Sequence, residues 1–388
     1  MSYPIKTLTI EGFKSIKSLK DFELRPLNVL IGANGAGKSN FVEFFSILQS
    51  LISQRLQVTV GKAGGADRFL FLGPGATDQI VAKLNLGGGF GYEFALVPTV
   101  QNRLIFGSET VRKKDPGAAG EIATSLGSGH QEANLVAWGV QSRGGFAREE
   151  FSSILSDLTA YQHHFLDTSP MAAVRLPGQI HHNDFLYEDA SNLAALLFWI
   201  KETQRIHYGR IRDVVRLAAP FFDDFKPRPV PTNPDLIQLE WLQKDSDYPF
   251  LASQLSDGTL RFICLAAALL QSSLPSIMLF DEPELGLHPY ALTLLAGLFQ
   301  QAAKSCQVIV STQSAPLLNE FVPEDVIVVE REHGQSTFRR LESTQLSEWL
   351  QEYSLGELWQ KNVLGGRPRN EEAPFPVNGQ TDPNVIRR

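Results

Sequence analysis

Gly32-Ala33-Asn34-Gly35-Ala36-Gly37-Lys38-Ser39 decides how this chain is read. The stretch satisfies G-x-x-x-x-G-K-[ST] at every position. It follows Leu27-Asn28-Val29-Leu30-Ile31, a short apolar run with the pattern of a buried strand. It opens a segment starting near Lys38 in which Phe41, Phe44, Phe45, Leu48 and Leu51 fall on one helical face. Strand, glycine loop and helix together form a phosphate cradle. Glycines let backbone N–H groups curl around phosphate oxygens, and the positive end of the helix adds to the attraction. In such a cradle Lys38 places a point charge on the β- and γ-phosphates, and Ser39 offers its hydroxyl to Mg²⁺. An α/β fold of the P-loop NTPase type is therefore expected.

Further along lies Ile277-Met278-Leu279-Phe280-Asp281-Glu282-Pro283, an apolar strand ending in two acids. On its own that ending is commonplace. Beside a phosphate loop it completes a site: Asp281 can hold Mg²⁺, and Glu282, one residue on, can act as a base that orients water at the γ-phosphate. Upstream, Leu255-Ser256-Asp257-Gly258-Thr259 precedes a helical segment. Two readings are open there: an anion site at a helix N-terminus, or a plain cap with Ser256 or Asp257 as N-cap. Ser256 stands 25 residues before Asp281, room for one helix and a loop.

Composition narrows the class. The 388 residues are 43% hydrophobic and 20% charged, which allows an ordinary core and excludes wholesale disorder. Net charge is −7, so any nucleic-acid surface must be a local patch. Two cysteines, Cys264 and Cys306, exclude a disulfide scaffold and a cysteine-rich zinc site. The longest strongly apolar stretch, Phe262 to Leu270, is 9 residues, against the roughly 20 that span a bilayer. The chain reads as a cytoplasmic protein without a membrane partner.

Four segments are expected. Residues 1–106 hold the phosphate loop and, over 68–106, an antiparallel strand meander broken at Gly87-Gly88-Gly89. Residues 107–234 form a mostly helical insert, with a small polar loop over Gly117–Gly129 and helices over Ala147–Leu158 and Asn192–Ala219. Pro227, Pro229, Pro231 and Pro234 then read as a linker. Residues 235–345 return to strand and helix: strands over Leu236–Leu242, Ile277–Phe280, Gln307–Ser311 and Val326–Glu330, helices over Asp257–Leu270 and His288–Ala303. Residues 346–388 end in a tail, rich in Pro, Asn and charge, that is expected to be flexible.

The set of motifs resembles the ATP-binding-cassette head of the SMC and RecF class. The resemblance rests on Gly12-Phe13-Lys14-Ser15, on Asn34 to Asn40, on Leu255 to Thr259, and on Asp281-Glu282-Pro283-Glu284-Leu285-Gly286-Leu287-His288-Pro289. The last run is also similar to the overcoming-lysogenization-defect group. In the stand-alone RecF-like ATPases, C-terminal Leu-Gly-Glu-Leu-Trp and Gly-Gly-Arg-Pro stretches match Leu355–Trp359 and Gly365–Pro368. The likeness covers about residues 1–60 and 236–368, and the middle of the chain only loosely.

What the resemblance implies is an ABC-type head with a mixed sheet, an antiparallel β subdomain and a helical lid. It also implies ATP and Mg²⁺ as ligands, with Gly32, Asn34, Gly35, Gly37, Lys38, Ser39 and Asn40 around the nucleotide, Lys14 as an early basic contact, and Ser39 and Asp281 at the metal. Two copies pack head-to-tail, so that Ser256 and Gly258 reach the γ-phosphate held at Lys38 of the other copy. One departure stands out: where relatives have Ser-Thr-His-Ser, this chain has Ser311-Thr312-Gln313-Ser314. Glutamine can donate a hydrogen bond but never ionises, so a slow ATPase is expected.

The rest of the chain excludes several classes. Lys38 and Ser256 lie 218 residues apart, too far for a transporter cassette. The longest helical stretch, Asn192–Ala219, would reach only about 42 Å, far short of long coiled-coil arms. Only 75 residues follow Gln313, too few for an attached nuclease domain. Lys201, Arg205, Arg210, Arg212 and Arg216, with Arg112-Lys113-Lys114, are candidate contacts to double-stranded DNA or a plain solvated face. The histidine pairs at 163–164 and 181–182 are weak metal candidates, because adjacent side chains on a strand point apart. Asp167-Thr168-Ser169 is a candidate nucleotide-sensing loop. The expected function is an ATP-hydrolysing homodimer acting on DNA in repair or genome maintenance. The alternatives are a sensor ATPase of an antiphage defence system controlling an effector from a neighbouring gene, and a nucleotide-gated scaffold with little hydrolysis.

Overall fold

Two six-stranded sheets with a helix between them organise the chain. The computed structural model describes residues 4–114, 120–141, 161–164, 167–169, 172–181 and 185–366. The central sheet runs in the order Gln335–Arg340, Val326–Glu332, Leu27–Ile31, Gln307–Ser311, Ile277–Asp281, Tyr161–His164. Its pairs are parallel except the first, a hairpin. Near-continuous apolar runs suit its middle strands, because both faces are covered. Alternate residues divide between the faces: Val29, Ile31, Met278, Phe280, Val308 and Val310 join one core, Leu30, Ile277, Leu279 and Ile309 the other.

The second core lies under the antiparallel sheet, ordered Ile16–Glu23, Ile5–Phe13, Ile80–Leu86, Phe90–Pro98, Leu104–Lys114, Glu121–Gly127. Helix Lys38–Ile52 is sandwiched there through Phe41, Phe44, Phe45 and Leu48, with the Phe13 ring edge-on to Phe44 at 5.7 Å. Each such fully buried side chain contributes about 1.5–3 kcal/mol. Gln307 stitches the two sheets: its side-chain amide accepts from Ile5 N at 3.2 Å and donates to Ile5 O at 2.7 Å. The opposite face of the central sheet carries helices Leu193–Thr203, Arg205–Ala218, Asp257–Leu270 and Pro289–Ala302.

Five expectations change. Residues 121–127 form an edge strand rather than a loop: a small, polar, largely exposed sequence suits an edge with one open side. Strand Leu104–Lys114 runs through position 106, so this sheet extends to Gly127. The long helix over 192–219 is two helices meeting at Gln204 (φ −137°, ψ 57°), where the Thr203 hydroxyl bonds back to Trp199 O at 2.7 Å and competes with the helical pattern. The proline cluster is a hairpin, Arg228–Val230 against Asn233–Gln238; Pro229 is tolerated because its strand is at the edge. The expected strand 236–242 accordingly divides at Leu239, Glu240–Gln243 pairing in a different sheet. The helix expected over 147–158 and the tail after 366 lie outside the described residues. Among the described residues, no helix is long and apolar enough to cross a membrane.

Candidate nucleotide site

The phosphate loop leaves the sheet where only glycine fits. At Gly32 (φ +155°) a Cβ would lie 2.2 Å from Val329 O on the neighbouring strand. At Gly37 (φ +115°) it would lie 2.0 Å from Ser336 Oγ. Ser336 braces the loop from the C-terminal hairpin, its Oγ 2.5 Å from Ala36 O and 2.7 Å from Ser15 Oγ. Asn40 Nδ2 donates to the same Ser15 Oγ at 2.6 Å. The Gly12–Ser15 motif therefore buttresses the loop. Lys14, with φ +49°, is ion-paired with Glu43, and its ammonium sits 5.5 Å from the Phe69 ring centroid; it is not among the residues that wall the cleft at this loop.

A cleft of ≈ 120 Å³ is walled by Asn34, Gly35, Gly37, Lys38, Ser39 and Asn40 on one side and by Glu282 and Gln313 on the other. Lys38 is 5% exposed, and its ammonium donates to Gly32 O at 2.7 Å and Ala33 O at 3.1 Å. Burial pulls its pKa below the usual lysine value, while Glu282, Asp281 and Glu284 push the other way. Those three acids thus lie within electrostatic reach of the lysine, although they are more than 240 residues away in sequence. Asp281 ends its strand with a buried Oδ1 that has no hydrogen-bond partner among the described residues. An orphaned carboxylate oxygen, with the exposed Ser39 on the cleft wall, is oxygen chemistry that suits a hard cation such as Mg²⁺.

Glu282 sits at φ +48°, a region uncommon for residues other than glycine, and its N–H donates to Ser311 O at 2.8 Å. Its carboxylate accepts a hydrogen bond from Gln313 Nε2. Strands Ile277–Asp281 and Gln307–Ser311 are paired in parallel, which brings these two residues side by side.

Glu284 was not singled out by sequence reasoning, although a second acid two residues after Glu282 was a visible signal. Its Oε1 accepts from Thr312 Oγ1 at 2.6 Å and from Gln313 N at 2.9 Å, and its Oε2 is buried without a partner among the described residues. Burial raises its pKa, Glu282 adds to the rise, and the hydrogen bonds from Thr312 and Gln313 counter it. A raised folded-state pKa means the folded protein holds a proton the unfolded chain has lost, so stability falls as pH rises through that window. Glu284→Gln should therefore raise the melting temperature above the ordinary carboxyl range and converge on the parent as pH falls. A parallel offset at all pH values would contradict this assignment.

Ser256 realises the capping reading: its Oγ accepts from Thr259 N at 3.2 Å at the start of helix Asp257–Leu270, and the residue stays exposed. A Cβ on Gly258 would lie 2.1 Å from Gly286 O, so the turn after Glu284 packs directly on this helix start. Ser256 and Gly258, with Leu287 and His288, line a second cavity of ≈ 140 Å³ that shares no residue with the phosphate cleft.

Elsewhere, several of the candidate DNA contacts are occupied locally. Lys201 donates to Phe225 O at 2.8 Å, Arg212 pairs with Asp213 at 2.9 Å, Arg216 with Asp223 at 2.6 Å, and Arg112 with Glu93 at 2.6 Å. Arg205 and Arg210 are exposed. Among the described residues no His, Cys, Asp and Glu cluster could hold a metal, and the side chains at 163, 164 and 182 lie outside them. The Thr168 carbonyl accepts from Arg175 Nε at 3.0 Å, and the same guanidinium bonds Leu255 O at 3.1 Å and Asp257 Oδ1 at 2.5 Å. The 167–169 loop is thereby tied to the Ser256 turn.

Residues 27–319 match the profile of the family described as "AAA domain, putative AbiEii toxin, Type IV TA system". No curated protein matches the chain in sequence. Among solved structures, the chain is similar to an Smc head bound to the C-terminal winged-helix domain of ScpA (TM-score 0.56, 14% identity, covering 89% of this chain and 99% of that one). It is also similar to an Smc head with an extended coiled coil bound to the C-terminal domain of ScpA, from Pyrococcus furiosus (TM-score 0.54, 14% identity, 90% and 99%). At that identity the likeness establishes the fold: an ABC-type P-loop ATPase head.

Proposed function

The chain belongs to this AAA-domain family, and on that premise we propose that it binds and slowly hydrolyses ATP, and that ATP joins two copies into a dimer acting on DNA. The observation that carries the reading is the division of the site. Lys38, Ser39, Glu282 and Gln313 share one cleft, whereas Ser256, exposed, and Gly258, half-buried, line a separate cavity that includes no residue of the phosphate loop. Two copies related head-to-tail would join them.

In that assembly the Lys38 ammonium exchanges the Gly32 and Ala33 carbonyls for β- and γ-phosphate oxygens. Ser39 and Asp281 would hold Mg²⁺, which would supply neutralising charge to the phosphates. Glu282, oriented by Gln313, takes the proton of the attacking water. Ser256, already at a helix N-terminus, presents its hydroxyl and nearby N–H groups to the γ-phosphate. ADP lacks the atoms that bridge the copies, so hydrolysis opens the dimer. Repair or genome maintenance is the role that fits an SMC-type head, with exposed Arg205 and Arg210 as contacts to duplex DNA.

The family description favours a second reading, a sensor ATPase that holds or releases an effector in a defence system. The test is the mass of the Glu282→Gln protein with and without ATP, followed by turnover of the parent with duplex DNA. Doubling of mass with ATP and salt-sensitive stimulation by DNA support the first reading. Stable co-purification with an effector and no response to DNA support the second. A protein that stays monomeric with ATP sinks the shared-site proposal.

A further inference from the structure

The C-terminal stretch Leu355–Gly366 has no part in the chemistry above, yet it touches both sides of the site. Its helix, Leu355–Gln360, is anchored at Gly356, whose N–H donates to Asn319 Oδ1 at 2.6 Å. A Cβ there would meet Ala315 O at 2.5 Å, on the helix that begins two residues after Gln313. Leu358 and Leu364 are 0% and 1% exposed and fix the segment to the core. The chain then crosses to the phosphate loop. Arg339 Nη2 holds Leu364 O at 2.8 Å, and Gly366 N donates to Glu330 Oε1 at 3.0 Å. Gly366, at φ +82°, lies so close that an added Cβ would stand 3.3 Å from Gly32 Cα and 3.2 Å from Trp359 Nε1. An added Cβ would be tight at both contacts and strained at this φ, so glycine suits the approach.

We propose that Leu355–Gly366 is a latch on the phosphate loop, with Gly366 a positioning residue whose seating is coupled to nucleotide occupancy. The inference rests on the nucleotide-binding reading above. Gly32 is the contact point, and its carbonyl is also the acceptor for the Lys38 ammonium. Phosphate that draws the ammonium away changes the forces on Gly32, and Gly366 lies directly against it with the Trp359 indole beside Gly366. Linkage makes the effect reciprocal: a latch that cannot seat lowers nucleotide affinity by the same factor by which nucleotide favours seating.

The experiment uses the full chain. ATP titration is followed by tryptophan emission, with Trp359→Phe assigning the signal, and by calorimetry. ATP should shift Trp359 emission, and Gly366→Ala should weaken ATP binding about tenfold while the variant still folds, with a melting temperature lowered by the strain at positive φ. If Gly366→Ala does not fold, the pair Glu330→Gln and Glu330→Ala decides. The amide still accepts from Gly366 N and should bind ATP like the parent, and the alanine should not. Unchanged affinity in Gly366→Ala, or equal affinity in the two Glu330 variants, overturns the latch even if emission shifts. A parent that binds ATP through Lys38 without any change in Trp359 emission also overturns the latch but leaves the nucleotide reading intact. A parent that binds no ATP overturns both.

Discussion

Glu282→Gln should bind ATP as tightly as the parent and turn it over about 10²–10⁴-fold more slowly, the usual contribution of a positioned general base. The amide is nearly isosteric, so the turn at φ +48° and the N–H bond to Ser311 O are kept. What is lost is the ability to take a proton. Gln313 Nε2, which donates to the carboxylate, can donate equally to the new amide oxygen, so the neighbouring switch position keeps its partner. The effect therefore belongs in kcat, with nucleotide affinity spared. Steady-state turnover and calorimetric ATP binding on one preparation separate the two. Turnover at the parental rate would remove Glu282 from the chemistry, and loss of binding would make it a ligand instead of a base.

Lys38→Ala should act on the other quantity. Truncating one partner of a buried, hydrogen-bonded charge pair costs about 2–5 kcal/mol, so ATP affinity should fall by at least tenfold and hydrolysis with it. Lys38 is nearly fully buried and its charge faces Asp281, Glu282 and Glu284. Removing it also strips the Gly32 and Ala33 carbonyls of their donor, so the variant should melt at a lower temperature without nucleotide. That second readout separates this site from a surface lysine, whose loss would change neither quantity. Adding Glu284→Gln to Lys38→Ala should recover part of the lost stability, since it removes one of the repelling charges. ATP affinity equal to the parent's would contradict the whole site.

These expectations draw unequally on sequence and structure. Leu27–Ile31, Lys38–Ile52, Asp257–Leu270 and Gln307–Ser311 form as elements where their patterns place them, because apolar periodicity and glycine punctuation act over a few residues. Glu121–Gly127 and the split at Gln204 were not legible in the same way. An edge strand is made by its neighbour's unpaired backbone, and a helix break by a local competition that composition does not display.

Local sequence was enough to place the glycine loop at Gly32–Ser39 between strand and helix, and the acid pair Asp281-Glu282 at a strand end, since both motifs lie in consecutive residues. Tertiary packing alone decided that Glu284 grips Thr312 and Gln313, that Ser15 and Ser336 brace the loop, that Lys14 turns to Glu43, and that Gly366 rests on Gly32. Each of those contacts joins residues brought together by parallel strand pairing or by the return of the C-terminal segment, and the free energy of such a contact depends on a distance that no run of neighbouring residues encodes.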